Sequence, residues 1–292
     1  MFINFIEFEM KNILLLTDFS DLSHYAKDLS DKVYNHLNAT LHVLKIIDVP
    51  NAIDVKSDSE ISSTEHDVSV YQLEHELSLR RMPDLVKGLK SNTKTAVVYG
   101  EVLNKVKEYV DENEIELVVM GTNEVSGAKE IISGSLTQQV ILNNKVPVLS
   151  LKCDRGAIDF SDFLITGEFE SKEVKNFDVI KSLQKVFKSK IHMLTVNTKA
   201  KFDVTSEAMK KMSSFVELNK LDNVEYHIYS DMTVEDGIVN FANNYDANHN
   251  LDIDIIAVEK KNKSTLNYWF TGCDALNYVN HIYRPMITYL NK

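Results

Sequence analysis

The stretch that decides the fold is residues 117–135, which read LVVMGTNEVSGAKEIISGS. Its first four residues are all apolar, which is typical of a parallel β-strand buried on both faces. The strand ends at Gly121, a polar loop containing Gly127 follows, and Gly134 and Ser135 open an amphipathic helix. The backbone N–H groups at such a helix N-terminus can hold an anion. The loop also fits a plainer interpretation, in which the glycines only end a strand and start a helix.

Strands and helices alternate around this stretch. The apolar and amphipathic patterns predict strands over 13–16, 40–47, 94–99, 115–120 and 146–151, and helices over 21–37, 67–91, 101–113 and 135–144. This alternation predicts an α/β fold with a parallel, doubly wound sheet. Residues 51–66 are polar and acidic, and we expect them to form a mobile, solvated loop.

The same order of elements restarts after a linker-like segment, residues 152–160. It predicts strands over 162–166, 190–196, 223–229, 252–258 and 285–290, and helices over 172–189, 205–220, 233–246 and 272–282. Counting supports an internal repeat, because LHVL at residue 41 and IHML at residue 191 lie 150 positions apart. We therefore predict two domains, residues 10–152 and 160–292, each with a five-stranded parallel sheet.

Composition limits the classes of function. The chain has 292 residues and a net charge of −11, which argues against nucleic acid or an anionic membrane as a general partner. The two cysteines, Cys153 and Cys273, suggest no disulfide framework, so a cytoplasmic location is expected. No apolar run is long enough for a membrane-spanning helix. Residues 1–9 lack the features of a signal peptide, and we expect them to precede the true start of the domain.

Four short motifs, in this order and spacing, resemble the universal stress protein family. They are Thr17-Asp18-Phe19-Ser20, VVMGT at 118–122, Gly134-Ser135 and VPVL at 146–149. The resemblance covers residues 11–151, and the second half matches in layout with poor motif retention. It implies two Rossmann-like domains, similar to those of adenine-nucleotide α-hydrolases, arranged as a tandem pseudo-dimer.

The resemblance also implies a nucleotide site. The family pattern is Gly, two residues, Gly, nine residues, Gly and then Ser or Thr, and it binds ATP in many members. The positions that match this pattern or the family's other contacts to adenine, ribose and phosphate are Asp18, Ile46, Met120, Gly121, Gly127, Gly134, Ser135 and Leu136. The implied ligand is ATP or AMP, with magnesium.

Glu124 departs from the pattern, because it stands at the second glycine position. A carboxylate at this position repels a triphosphate. In the second half the matching positions are Glu259, Asn262, Gly272 and Cys273, so the resemblance implies a degenerate domain that does not bind nucleotide. The first strand there ends in Thr166-Gly167-Glu168, which we interpret as lacking a clear counterpart of Asp18.

Two interpretations of the function stay open. The first is a cytoplasmic stress-response regulator that binds an adenine nucleotide through its N-terminal domain. The second is a nucleotide-independent scaffold or interaction module for an unidentified protein partner, in which Glu124 has closed the site. No catalytic motif is found and no catalytic residue is predicted, so a slow ATP hydrolase ranks third.

The last strand of each domain, 146–151 and 285–290, begins with a proline next to an apolar run, which is typical of a sheet edge. We expect these two strands to pair within the chain and form an intramolecular pseudo-dimer. Further association into a homodimer is left open.

Several residues have plainer interpretations. Asp18 and Ser135 also suit simple helix-capping roles. His42 and His192 occupy matched strand positions, and we expect core histidines rather than metal ligands because no ligand cluster is visible in the sequence around them. We expect Tyr268-Trp269-Phe270 to fill the vacated second pocket, the alternative being a partner surface.

Overall fold

The structure is a computed structural model that describes residues 9–122, 136–152, 158–169, 174–175, 177–249, 253–260 and 284–291. The chain divides into two compact units, one of residues 10–123 and one that contains the residues from 124 onward. Both units alternate strands and helices as the sequence predicts. The α/β fold with a mostly parallel sheet is therefore confirmed.

The first unit contains a four-stranded parallel sheet. Its elements are β1 (Asn12–Leu16), α1 (Asp21–Leu37), β2 (Thr40–Ile47), β3 (Asp54–Ser57), β4 (Glu60–Ser62), α2 (Ser69–Leu85), β5 (Thr93–Tyr99), α3 (Val102–Glu112) and β6 (Leu117–Gly121). The strand order is β6-β1-β2-β5. The chain therefore moves outward from β1 in one direction and then crosses back to the other side of β1. The switch point between β1 and β6 is where doubly wound folds bind ligands.

Helix α1 begins and ends where its sequence predicts. The side chain of Ser20 caps it by accepting a hydrogen bond from the Ser23 N–H at 3.3 Å. At the other end Asn38 adopts the left-handed conformation that commonly ends a helix. Buried residues at helical spacing, including Ala26, Leu29 and Val33, pack the helix on the sheet.

The loop expected over residues 51–66 instead contains an antiparallel hairpin formed by β3 and β4. Two isoleucines explain the difference, since Ile53 and Ile61 are both buried. Isolated apolar residues in a polar stretch carry no periodic signal. Their burial depends on the surface that the rest of the unit offers.

The second unit holds the remaining described elements. They are α4 (Leu136–Asn143), β7 (Val148–Leu151), β8 (Asp162–Thr166), β9 (Val174–Lys175), α5 (Asp178–Phe187), β10 (Lys190–Asn197), α6 (Thr205–Asn219), β11 (Val224–Ser230), α7 (Val234–His249), β12 (Ile255–Glu259) and β13 (Met286–Asn291). The strand order is β11-β10-β8-β12-β13-β7. The helix predicted over 172–189 starts later than expected, because β9 pairs with the end of β13. The helix predicted over 272–282 lies outside the described residues.

The pairing predicted between the two proline-led strands is present. Strands β7 and β13 pair antiparallel, with Leu149 opposite Ile287 and Ser150 opposite Met286. The N–H of Val148 adds a hydrogen bond of 3.2 Å to the hydroxyl of Thr288. Strand β7 therefore groups in space with the second unit. The boundaries 10–152 and 160–292 stay a prediction about the repeat.

Strand registers in the two halves correspond at the predicted offset of 150 residues. Leu14 lies opposite His42 in the first half, and Leu164 lies opposite His192 in the second. In each half a carboxylate accepts a backbone hydrogen bond at the start of the first strand, which is β1 or β8. The carboxylate comes from the residue just before the neighbouring strand, β6 or β12. Glu116 accepts from the N–H of Asn12 at 3.1 Å, and Asp254 accepts from the N–H of Asp162 at 3.1 Å. The correspondence thus extends to individual side chains.

Candidate functional site

The carboxyl ends of β1, β2 and β6 form one edge of the first unit. Leu16, at the end of β1, lies opposite Leu44 of β2 and Met120 of β6. Four of the predicted site residues therefore lie at this edge: Asp18, Ile46, Met120 and Gly121. Ile46 and Met120 are buried, and Asp18 is exposed in the loop that follows β1. The edge combines an apolar floor with an exposed carboxylate.

Of the other predicted site residues, the structure describes only Leu136. Leu136 is the first residue of α4, which belongs to the second unit, and its side chain is exposed. Gly127, Gly134, Ser135 and the departing residue Glu124 lie outside the described residues. The phosphate-binding loop therefore stays a prediction.

Asp18 organises the loop between β1 and α1. Its Oδ1 atom accepts hydrogen bonds from the Ser20 N–H at 2.9 Å and from the Ser23 hydroxyl at 2.5 Å. Its own N–H donates to Ser23 Oγ at 3.0 Å. Asp18 is therefore not the helix cap itself, since that role belongs to Ser20, but it holds the cap in place. These hydrogen bonds fix the carboxylate of Asp18 against the first turn of α1.

Phe19 adopts an unusual backbone conformation next to Asp18. Its φ is +62°, in the left-handed region that few residues other than glycine occupy. Arg81 of α2 secures it with two contacts. Its guanidinium donates to the Phe19 carbonyl at 3.0 Å and lies 4.6 Å from the centre of the Phe19 ring. No local pattern indicates this role, because 62 residues separate Arg81 from Phe19.

We expect Arg81→Ala to lower the free energy of unfolding by about 1 kcal/mol, through loss of the cation–π contact and one hydrogen bond. Urea unfolding monitored by circular dichroism measures this change. Arg80→Ala is the matched control, because Arg80 only forms an exposed ion pair with Glu76 at 3.6 Å. The control should change stability by less than about 0.5 kcal/mol. Equal effects of the two substitutions would contradict the anchoring role of Arg81.

Gly121 lets α1 approach the end of β6. A Cβ atom on this residue would lie 2.8 Å from the backbone carbon and oxygen of Leu22, closer than real Cβ contacts. The close approach packs the first turn of α1, which follows the Asp18 loop, against the last residue of β6. Gly121 is therefore required by packing at this edge.

Two further carboxylates lie along the same edge, after β2 and β5. Burial raises the pKa of Asp48 above its ordinary value, the negative charge of Glu101 adds to the rise, and a hydrogen bond from the Val102 N–H opposes it. Glu101 itself caps α3 by accepting from the N–H groups of Leu103 and Asn104, at 3.2 and 2.9 Å. A cleft of about 370 Å³ lies beside them, lined by residues 49–55, Gly100 and Glu101.

The matching edge of the second half is filled by aromatic side chains. Phe169 corresponds to Phe19 and also has a positive φ, of 48°. Its ring lies 5.3 Å from that of Phe215, which in turn lies 5.3 Å from Phe177. Tyr289 completes the cluster by packing on Phe177 and donating from its buried hydroxyl to the Thr166 carbonyl at 3.3 Å.

Tyr268-Trp269-Phe270 lie outside the described residues, so their filling of the second pocket stays a prediction. Burial also raises the pKa of Tyr289, with a further contribution from the charge of Glu259. The interpretation that Asp18 has no acidic counterpart is wrong, because the offset of 150 residues aligns it with Glu168. Glu168 forms an ion pair with Lys201. The repeat offset was the signal that could have identified Glu168.

None of the helices in the described part of the chain combines the length and apolar composition needed to cross a bilayer.

Comparison with known proteins agrees with this architecture. Residues 9–152 match the sequence model of the universal stress protein family. A universal stress protein of Methanocaldococcus jannaschii is 25% identical over 142 residues, which are 49% of this chain and 82% of that protein. These matches confirm the resemblance that the four motifs indicate.

Two solved structures match nearly the whole length of the chain. The crystal structure of a universal stress protein from Archaeoglobus fulgidus covers 96% of both chains, with a TM-score of 0.67 and 18% identity. A Pseudomonas aeruginosa protein described as functionally unknown covers 97% of this chain and 93% of its own, with a TM-score of 0.53 and 11% identity. At these identities the likeness shows a shared fold.

Proposed function

Because the chain carries a universal stress protein domain over residues 9–152, we propose that it is a cytoplasmic, tandem stress-response regulator that binds one adenine nucleotide. The site is the carboxyl edge of β1, β2 and β6, and the ligand is ATP or AMP. The role of the chain is to bind this ligand and respond to it, with at most slow hydrolysis.

The observation that carries the proposal is the convergence of Asp18, Ile46, Met120 and Gly121 at the switch point of the first sheet. Adenine needs an apolar surface for its ring and a polar group at its rim. The buried side chains of Ile46 and Met120 supply the first, and the fixed carboxylate of Asp18 supplies the second. Arg81 keeps the Asp18 loop in shape through Phe19.

A single site per chain is supported by the contrast between the two halves. The corresponding edge of the second half holds Phe169, Phe177 and Tyr289, all of them buried. Opening this edge would expose aromatic surface and break the hydrogen bond from the Tyr289 hydroxyl to the Thr166 carbonyl. Both changes are unfavourable, so the described part of this edge disfavours adenine binding.

Calorimetric titration of the full chain with ATP and AMP tests the proposal, with and without magnesium. We expect one nucleotide per chain. Magnesium should strengthen ATP binding more than AMP binding, because it offsets the larger negative charge of the triphosphate. Two sites of similar affinity, or none, would contradict the proposal.

Gly134→Asp tests the loop position, because a carboxylate at the helix N-terminus would occupy the place of a phosphate. We expect this variant to lose nucleotide binding while staying folded. Gly272→Asp, at the corresponding position of the second half, is the matched control and should bind nucleotide as the wild type does.

Glu124→Gly should strengthen ATP binding more than adenosine binding. Equal gains for both ligands would show that Glu124 is remote from the phosphates.

One observation favours the second candidate, a protein-interaction module. Val70, Leu73 and Leu77 lie at helical spacing on α2, and their side chains are 68%, 56% and 46% exposed. An exposed apolar stripe of this kind is typical of an interaction surface. If the titrations detect no nucleotide, this face of α2 becomes the main candidate for function.

A further inference from the structure

The amino end of the second-half sheet, opposite the nucleotide edge, carries a compact group of polar side chains. His192 on β10 and the pair Glu225 and His227 on β11 bring two imidazoles and a carboxylate together. The register explains this, because His192 lies opposite Glu225, and His227, two residues on, shares its face of the sheet. The group was not visible in the sequence, since His192 lies 33 residues before Glu225 and 35 residues before His227.

The distances between the ligand atoms suit a transition-metal ion. His192 Nδ1 lies 3.1 Å from His227 Nε2 and 3.5 Å from Glu225 Oε2, and the last two atoms are 3.9 Å apart. The point equidistant from these three atoms is about 2 Å from each, which is the usual length of zinc bonds to nitrogen and carboxylate oxygen. We propose that His192, Glu225 and His227 form a zinc site, with a solvent water as the fourth ligand.

The surrounding residues orient these ligands. Asp162, the first residue of β8, lies 2.8 Å from His192 Nε2, so the carboxylate fixes this ring with Nδ1 directed toward the other ligands. Metal-binding histidines commonly have such a carboxylate partner. The ring of His227 packs between His192 and Phe241 of α7, at centroid distances of 5.3 and 4.8 Å. His192 is fully buried, whereas Glu225 is 43% exposed and leaves room for water.

The first half supplies an internal comparison at the same positions of its sheet. Lys94 lies opposite His42 where Glu225 lies opposite His192, and Ala96 stands in place of His227. A cation and a methyl group thus replace two ligands.

The partners of His42 differ in the same sense. The Nδ1 atom of His42 lies 3.1 Å from the Tyr109 hydroxyl, and its Nε2 atom lies 3.3 Å from the Asn12 side-chain oxygen. In the second half Asp162 replaces Asn12 at the offset of 150 residues. These three differences, at Glu225, His227 and Asp162, each supply or orient a metal ligand in the second half.

Lys190 opposes the site. Its ammonium lies 2.7 Å from Glu225 Oε2 and would compete with the metal for this oxygen. The lysine side chain is 38% exposed, so it can turn into solvent when a metal binds. Its removal should therefore strengthen metal binding, which a purely structural role of the cluster would not predict.

The test is titration of the full, metal-stripped chain with Zn²⁺ against a chromophoric chelator, with Co²⁺ absorption as a second readout. We expect one tight equivalent and the intense visible bands of four-coordinate cobalt. His227→Ala, which installs the first-half residue, should weaken binding by more than the roughly 10–100-fold expected of the orienting variant Asp162→Asn. Lys190→Gln should tighten it. His66→Ala, which removes an exposed histidine of the first unit, should leave it unchanged.

Absence of a tight equivalent in the wild type would overturn the site. So would wild-type affinity and cobalt bands in His227→Ala. Circular dichroism checks that each variant is folded. If His227→Ala fails to fold, Lys190→Gln decides, because unchanged or weaker binding in that variant contradicts the competition that the geometry requires. The site does not depend on nucleotide binding, which uses the other half and the other end of the strands.

Discussion

Gly121→Ala is expected to lower the free energy of unfolding by about 2–3 kcal/mol and to weaken nucleotide binding. The added methyl group would lie 2.8 Å from the backbone of Leu22 and 2.8 Å from its Cβ atom. Backbone atoms cannot rotate away as a flexible side chain can. Helix α1 must therefore shift away from β6, and the Asp18 loop that precedes it must shift as well. Urea unfolding and ATP titration measure the two effects.

Gly88→Ala provides a control, because this substitution strains the backbone conformation without creating a packing clash. A Cβ on Gly88 would have no neighbour within 4 Å, but the φ of this residue is +87°. We expect a cost of about 1 kcal/mol and no change in nucleotide binding. Shortening Leu22 to alanine in the Gly121→Ala background should not restore stability, because the clash involves the main chain and the Cβ atom of Leu22, which alanine keeps. Full restoration would show that the part of the Leu22 side chain beyond Cβ causes the effect.

Acidification from pH 7.5 to pH 5 is expected to cost about 2 kcal/mol of stability through His42 alone. Burial lowers the pKa of His42 from 6.5 to about 4, and the charge of Lys94 lowers it further within that total. Between pH 6.5 and about 4, the His42 imidazole is protonated in the unfolded chain but stays neutral in the folded chain. Stability is therefore complete above pH 6.5 and is lost as the pH falls toward 4.

His42→Gln isolates this contribution, because glutamine keeps a polar side chain but does not titrate. The difference in unfolding free energy between wild type and variant should shrink by about 2 kcal/mol between pH 7.5 and pH 5. Other groups with shifted pKa values, such as Asp48, are common to both proteins and cancel in the difference. Parallel pH profiles would mean that His42 is protonated in the folded protein or is not buried as described.

The periodic elements were predictable because each depends on a local pattern. Helix α1 and strand β2 have the bounds that the sequence predicts, Asp21–Leu37 and Thr40–Ile47. Ser20 provides the helix cap, and the apolar run of β2 requires burial on both faces. The hairpin of β3 and β4 was not predictable, since two isolated isoleucines give no periodic signal. The same holds for β9, whose two residues are ordered by pairing with β13.

The candidate nucleotide site was only partly visible in the sequence. Asp18, Ile46, Met120 and Gly121 follow from the order of strands and from the family resemblance. Arg81 does not, because it reaches Phe19 from a helix elsewhere in the chain. The aromatic cluster of Phe169, Phe177 and Tyr289 was likewise hidden, since its members come from separate parts of the second half.

The sequence by itself determined the alternation of strands and helices and the repeat offset, because spacing along the chain sets both, and the edge at which a nucleotide is expected follows from the family resemblance. Only the tertiary structure decided which side chains meet. Strand pairing placed His192 opposite Glu225 and beside His227, and it placed His42 opposite Lys94. Register joins residues that are distant in sequence. Two histidines at matched positions therefore acquire different chemistry from their neighbours on the adjacent strand.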